Sequence, residues 1–121
     1  MYYESTRGGK GGITSAEAIK KGISPDGGLY VPQNFEKISM EEITEFVGRP
    51  YTQRAVSILK RFLDDFSEEE LTGCVSRAYG GEKFSSEAVA PVVRLNDTLD
   101  VQELWHGPTC AFKDMALQIL P

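Results

Sequence analysis

Residues 50 to 79 carry the strongest periodic pattern in the chain, and this pattern restricts the fold more than any other feature. Apolar side chains recur there every three or four residues, which is the spacing of one face of an α-helix. The first run comprises Ala55, Ile58, Leu59, Phe62, Leu63 and Phe66. The second run, after a capping box of Ser67 with Glu70, comprises Leu71, Cys74, Val75 and Ala78. Two consecutive amphipathic helices are therefore predicted, with Cys74 as a core residue rather than a reactive thiol.

Two shorter helices are predicted upstream from the same capping pattern, a Ser or Thr followed three residues later by Glu. The pairs are Thr14 with Glu17 and Ser39 with Glu42. Gly22 and the region of Gly48 are the expected helix ends, because glycine readily adopts the left-handed backbone that closes a helix.

Short strands and a connector complete this first part of the chain. The stretches 2–7 and 29–32 are rich in aromatic and β-branched residues, and a turn of Pro, Asp and Gly precedes the second. The glycine-rich stretch 7–12 is interpreted as a connector, since a phosphate-binding P-loop needs Ser or Thr directly after its lysine and Lys10 is followed by Gly11. Residues 1–88 are thus predicted to form a mainly helical unit with short strands.

A second unit is predicted over 89–121, giving a mixed α/β chain. The β-rich runs 89–95 and 98–105 flank Asn96 and Asp97 and indicate a hairpin. Thr109 is then the expected cap of a helix over 110–120. Its apolar face would comprise Phe112, Met115, Ala116 and Ile119. Because this apolar helix comes last, with no later element to cover it, the chain is expected to be truncated.

Composition excludes several function classes. The 121 residues carry a net charge of −5, which argues against broad binding to nucleic acid or to anionic membranes. Two cysteines without a CxxC pair and a single histidine argue against a metal site. No apolar run is long enough to span a bilayer and the N-terminus has no signal-peptide pattern, so a cytoplasmic location is expected.

Lys113 is the residue whose position asks for an explanation. It falls in the first turn of the predicted helix, where the partial positive charge of the helix end disfavours an ammonium group. Either Asp114 offsets the charge of an ordinary surface lysine, or the neutral amine is the functional form. Burial and the helix end would both lower the lysine pKa and so favour the neutral amine.

Four stretches, which together cover about half the chain and are spread from end to end, resemble the N-terminal part of the threonine synthases, which are fold-type II pyridoxal-phosphate enzymes. They are YYESTRG, EAIKKGISPDGGLYVP, APVVRL and ELWHGPTCAFKDMALQIL. The last fits the lysine signature of pyridoxal-phosphate dehydratases and their relatives, with Glu103, Thr109, Ala111, Phe112 and Lys113 in order. Cys110 at the free position and the GGKGG stretch depart from the pattern, and family members continue well beyond residue 121.

The resemblance implies that residues 89–121 begin a fold-type II domain and that Lys113 binds pyridoxal 5'-phosphate and transfers protons. O-phosphohomoserine would lose protons from Cα and Cβ and phosphate from Cγ, and water would add at Cβ to give threonine. The part beyond residue 121 would supply the phosphate-binding loop, so the 121-residue chain is expected to be inactive alone. Phe112 either packs near the cofactor or is a core aromatic residue. His106 and Thr109 are interpreted as turn and cap residues.

The resemblance also makes Ser5, Thr6 and Arg7 candidate substrate residues, and an arginine flanked by hydroxyls suits a phosphate or carboxylate. The alternative is a strand end with a solvated arginine. Two other functions remain open. One is a different fold-type II lyase, such as a threonine dehydratase. The other is a non-catalytic relative, against which the intact Phe-Lys-Asp triplet argues.

Overall fold

The computed structural model describes residues 1–9 and 11–120; Lys10, in the predicted connector, and Pro121 lie outside this part. The described residues form five α-helices and four β-strands. In chain order these are β1 Tyr3–Ser5, α1 Ser15–Lys21, β2 Tyr30–Pro32, α2 Met40–Glu45, α3 Tyr51–Phe62, α4 Glu68–Tyr79, β3 Val92–Asn96, β4 Leu99–Gln102 and α5 Asp114–Leu117. The mixed α/β composition confirms the coarse fold prediction.

The three predicted capping boxes are all present, at the starts of α1, α2 and α4. In each, the Ser or Thr side chain accepts a hydrogen bond from the backbone N–H of the Glu three residues on, and that Glu bonds back to the cap. Helix α1 ends at Gly22, whose φ of 69° only glycine adopts without strain. The two residues of each pair are only three positions apart, so these helix starts follow from the local sequence.

Contacts between distant residues hold the N-terminal sheet against the helices. Strands β1 and β2 pair antiparallel, with Tyr3 opposite Pro32. The hydroxyl of Tyr3 donates to the carbonyl of Phe62 at the end of α3 over 2.9 Å. The carboxylate of Asp65, in the α3–α4 loop, accepts hydrogen bonds from the Ser15 hydroxyl and, over 3.0 Å, from the Ala16 N–H. An acidic group thus meets the free N–H groups at the start of α1.

The core lies between α3 and α4 and the connector that follows them. Its buried members are Val75, Ala78, Tyr79, Phe84 and Val89, with Tyr51, Ala55, Val56, Leu59, Met115 and Ile119 packed against it. The predicted face of α4 is buried at Leu71, Val75 and Ala78. Cys74 is the exception: it is only half-buried, and its sulfur lies 3.3 Å from an Arg77 guanidinium nitrogen. The core-residue prediction is therefore wrong for Cys74, because its side chain sits at the edge of that face.

The domain boundary between residues 88 and 89 stays a prediction.

Strands β3 and β4 form the predicted hairpin, with Val92 opposite Gln102. The hairpin is shorter than expected, because β3 begins only at Val92; before it, a single backbone hydrogen bond, from the Glu103 N–H to the Pro91 carbonyl over 2.9 Å, continues the pairing. Val89 is buried in the core at a φ of 61°, a left-handed backbone that a β-branched residue adopts only under strain and that a strand cannot contain. All five residues of β3 are exposed.

The described chain exposes more surface than a closed domain of its size. Its accessible surface is 8526 Å², whereas a compact monomer of this mass has about 6,500 Å². Large apolar side chains contribute to the excess along β3, β4 and the C-terminal segment, at Val92, Leu95, Leu99, Trp105, Phe112, Leu117 and Leu120. No helix in the described ranges is both long and apolar enough to cross a lipid bilayer.

Candidate active site

The segment that carries Lys113 is a series of turns followed by a short helix. Helix α5 begins at Asp114, with Lys113 at the N-cap position, so the helix predicted over 110–120 is mostly turn. The physical reason lies at Cys110, whose φ of 57° is left-handed and cannot belong to a right-handed helix. Lys113 therefore precedes the first turn of the helix instead of lying in it.

Asp114 organises this turn segment. Its side chain is fully buried, at 0% relative exposure. One carboxylate oxygen accepts the Thr109 backbone N–H over 2.8 Å, and both accept from the Thr109 hydroxyl, over 2.9 and 3.0 Å. Thr109 is thus not the helix cap that the sequence predicted. It donates to the side chain of the first helical residue, and the two residues close a loop around Lys113.

Gly107 makes room for that carboxylate. A Cβ atom at residue 107 would lie 2.4 Å from the Cβ of Asp114, closer than side chains approach in folded proteins. Only glycine allows the backbone to pass so near the buried Asp114 side chain.

His106 holds the start of the segment. Its Nδ1 lies 2.8 Å from the Ser85 hydroxyl and its Nε2 lies 2.7 Å from a carboxylate oxygen of Glu103. Since the carboxylate can only accept, Nε2 carries a proton, and in the neutral ring Nδ1 accepts from Ser85. The Ser85 N–H also donates to the His106 carbonyl over 2.9 Å. These contacts place His106 directly before the turn of residues 107–109 and tie it to the connector before the hairpin.

Lys113 and Phe112 both point to solvent in this chain. Lys113 is exposed, and its amine makes no hydrogen bond or ion pair with any residue that the structure describes. Phe112 is 65% exposed, so it is not a core aromatic residue here. The predicted apolar face is only partly correct, since Met115 and Ile119 pack on the core while Phe112 and Ala116 do not. The expected burial of Lys113 is absent because the buried position falls to its neighbour, Asp114.

Tyr79, a core residue, contacts the segment that carries Lys113. Its hydroxyl donates a hydrogen bond to the carbonyl of Met115. Burial, and secondarily the neighbouring Tyr51, raises the pKa of Tyr79 to about 12, so the phenol stays protonated and remains a donor.

Ser5, Thr6 and Arg7 lie at the end of β1 and contact the turn of residues 24–28. The Ser5 hydroxyl is buried and donates to Asp26 over 2.7 Å, while Thr6 accepts from the Leu29 N–H over 3.0 Å. The exposed Arg7 donates from one guanidinium nitrogen to the Asp26 carbonyl over 3.0 Å. Hydrogen bonds from Ser5 and from the Gly28 N–H lower the pKa of Asp26, and burial opposes them only in part.

The structure thus separates the predicted site residues into two groups. Lys113 and Phe112 share one segment with Thr109 and His106. No hydrogen bond or ion pair within the described ranges joins that segment to Ser5, Thr6 or Arg7. The prediction from sequence included Asp114 only as a charge beside Lys113, and it assigned no role to Gly107 or Ser85. The one signal in the sequence that could have singled out Asp114 was its position directly after the lysine.

Comparison with known proteins gives the family. Residues 2–79 match the sequence model described as threonine synthase N terminus. The threonine synthase of Pseudomonas aeruginosa is 40% identical over 121 residues, which is 99% of this chain and 25% of that protein. Threonine synthase-like 1 of Homo sapiens is 39% identical over 109 residues, covering 88% of this chain and 14% of that protein.

The fold agrees with solved structures of the same family. The pyridoxal-phosphate-bound threonine synthase from Brucella melitensis superposes with a TM-score of 0.92 at 37% identity, covering 99% of this chain and 26% of that one. This chain therefore spans about a quarter of the length of these threonine synthases. The conclusion from sequence and fold together is that the chain belongs to the threonine synthase family and corresponds to its N-terminal region.

Proposed function

We propose that the chain is the N-terminal part of a pyridoxal-phosphate-dependent threonine synthase, in which Lys113 holds the cofactor. The whole enzyme would convert O-phosphohomoserine and water into threonine and phosphate. The observation that carries the proposal is the lysine itself: an accessible amine, without a partner in the described chain, on a segment held by Asp114, His106 and Tyr79. We further propose a fold-type II domain and a cytoplasmic location for the whole protein.

The residues present suit the aldehyde end of the cofactor. Attachment to an aldehyde needs a primary amine that is free to react, and the Lys113 amine meets that requirement. When bound, pyridoxal phosphate supplies a ring that accepts the electrons left behind when a carbon–hydrogen bond of the substrate breaks. Lys113 would then take up and return the substrate protons as a general base and acid. The exposed ring of Phe112, next in sequence, would pack against the cofactor.

Arg7 is the better substrate candidate of the N-terminal group. Its guanidinium is exposed and uses one nitrogen on the Asp26 carbonyl, so further N–H groups remain for a phosphate or carboxylate. Ser5 is buried and its hydroxyl proton is committed to Asp26. We propose that Thr6 and Arg7 face the substrate and that Ser5 supports them.

The experiment is substitution of Lys113 in the full-length protein. Lys113→Ala is expected to abolish both the cofactor absorbance in the near ultraviolet or visible range and the release of phosphate from O-phosphohomoserine. Lys20→Ala, an exposed lysine on α1, is the matched control and should leave both unchanged. Retention of absorbance and turnover by Lys113→Ala would refute the assignment.

Two assays separate the alternatives. A threonine dehydratase would release ammonia from threonine instead of phosphate from O-phosphohomoserine. A non-catalytic relative would show neither activity. We expect the 121-residue chain alone to be inactive and to take up pyridoxal phosphate weakly, because Lys113 and Phe112 are its only proposed contacts to the cofactor.

A further inference from the structure

Asp114 is an ionisable residue in an unusual place. It is fully buried and forms no ion pair with any described residue. Burying a carboxylate without a positive partner is unfavourable, and hydrogen bonds offset that cost only in part. Its hydrogen-bonding partner is a single residue, Thr109, five positions earlier. This arrangement directs attention to what the contact between Asp114 and Thr109 does for the residues between them.

The contact between Asp114 and Thr109 closes a loop that contains Lys113. Within this loop Cys110 has a strained left-handed backbone, and strain of this kind persists only where the surrounding contacts enforce it. On the other side of Lys113, its carbonyl accepts the Leu117 N–H over 2.9 Å. The Lys113 backbone is therefore held from both directions, while its side chain remains free.

We infer that Asp114 is a positioning residue for Lys113: its carboxylate, bound by Thr109, holds the lysine backbone where the amine meets the cofactor aldehyde. This inference rests on the proposed function. Attachment forms a carbon–nitrogen double bond between Nζ and the aldehyde carbon and releases water. Its rate depends on how well the amine is oriented, and a small displacement of a reacting group lowers a rate strongly.

The inference is tested in the full-length protein freed of cofactor. Pyridoxal phosphate is added, the double bond is reduced with borohydride at timed intervals, and the labelled peptide is identified. Asp114→Asn keeps the size of the side chain but replaces one acceptor oxygen with a donor. Thr109→Val removes only the hydroxyl, and Thr109→Ser keeps both donors. Asp97→Asn, in the exposed hairpin turn, is the matched control.

We expect Asp114→Asn to slow labelling of Lys113 by about tenfold or more, because the loss of orientation alone produces changes of this size. Thr109→Val should slow it by a smaller factor, while Thr109→Ser and Asp97→Asn should label at the unsubstituted rate. The folded fraction of each variant, from urea unfolding, is used to correct the rates. If Asp114→Asn does not fold, Thr109→Val compared with Thr109→Ser decides the question.

The corrected labelling rates and the labelled residue decide the inference. Equal corrected rates for all variants would show that Asp114 and Thr109 do not position Lys113, and a slowing that disappears after correction would show a purely structural role. If the unsubstituted protein is labelled at another lysine or not at all, the proposed function fails and the inference fails with it. Labelling at Lys113 that is indifferent to Asp114 refutes the inference alone.

Discussion

The hydroxyl of Tyr79, at the end of α4, donates a hydrogen bond to the backbone carbonyl of Met115, two residues after Lys113. Tyr79 is only 8% exposed and packs edge-on against Tyr51 of α3 at a ring distance of 5.1 Å. The Tyr79 side chain therefore links the helical core to the candidate site, beside the packing of Met115 and Ile119 on that core, and changes at Tyr79 should reach the Lys113 segment.

Tyr79→Phe should lower the free energy of unfolding by about 1–2 kcal/mol, because the Met115 carbonyl loses its partner while the ring stays packed. Urea unfolding followed by circular dichroism measures the change. Tyr2→Phe, at an exposed ring, is the control and should be neutral within error. Equal stability of the two variants would contradict a role for the Tyr79 hydroxyl.

Alkaline pH should destabilise the chain through the same residue. The pKa of Tyr79 is raised from 10.0 to about 12, first by burial and then by Tyr51. Folding thus favours the protonated phenol, so its contribution is fully present below pH 10 and is lost as the pH rises from there towards about 12. Urea midpoints measured across this range should fall more steeply for the unsubstituted chain than for Tyr79→Phe; parallel curves would contradict the prediction.

Acid should destabilise the contact between Asp65 and the start of α1. Burial alone would raise the pKa of Asp65, but hydrogen bonds from Ser15 and Ala16 outweigh it and lower the pKa below its ordinary 3.8. Folding thus favours the ionised carboxylate. Its contribution is present above pH about 4 and is lost as the pH falls through the lowered value.

Asp65→Asn should therefore be less stable near neutral pH and should lose less further stability on acidification. The comparison uses urea midpoints from pH 6 down to pH 3, with Asp97→Asn as the control for removal of an exposed carboxylate. An acid dependence unchanged by Asp65→Asn would show that other carboxylates dominate.

Two glycine substitutions should change the free energy of unfolding in opposite directions. Gly107→Ala places a methyl group 2.4 Å from the Asp114 Cβ and should lower the free energy of unfolding by about 2 kcal/mol, a typical cost of overpacking. Gly73→Ala, within α4, meets only the flexible Arg77 guanidinium at 3.3 Å and should raise it by about 0.5–1 kcal/mol, because alanine favours the helix. Urea unfolding measures both changes. An unchanged free energy of unfolding in Gly107→Ala would contradict the close approach of residue 107 to the Asp114 side chain.

Features that depend on neighbouring residues could be predicted from the sequence. The three capping boxes set the starts of α1, α2 and α4, and the apolar spacing identified α3 and α4, because hydrogen bonds and side-chain directions within one or two turns decide such features. The lysine motif likewise identified the residue of interest without any structure. Family membership was available from the same short stretches.

Only the three-dimensional arrangement shows where Lys113 lies and what holds it. The sequence around it favours a helix from residue 110, yet the hydrogen bonds from Thr109 to Asp114 and the left-handed backbone at Cys110 delay the helix to residue 114. The same contacts decide burial. The Asp114 side chain faces the interior and is buried, whereas the Lys113 side chain faces solvent and is exposed. These outcomes are set by competition between local helix preference and contacts across the fold, and a pattern of residue types does not contain the result of that competition.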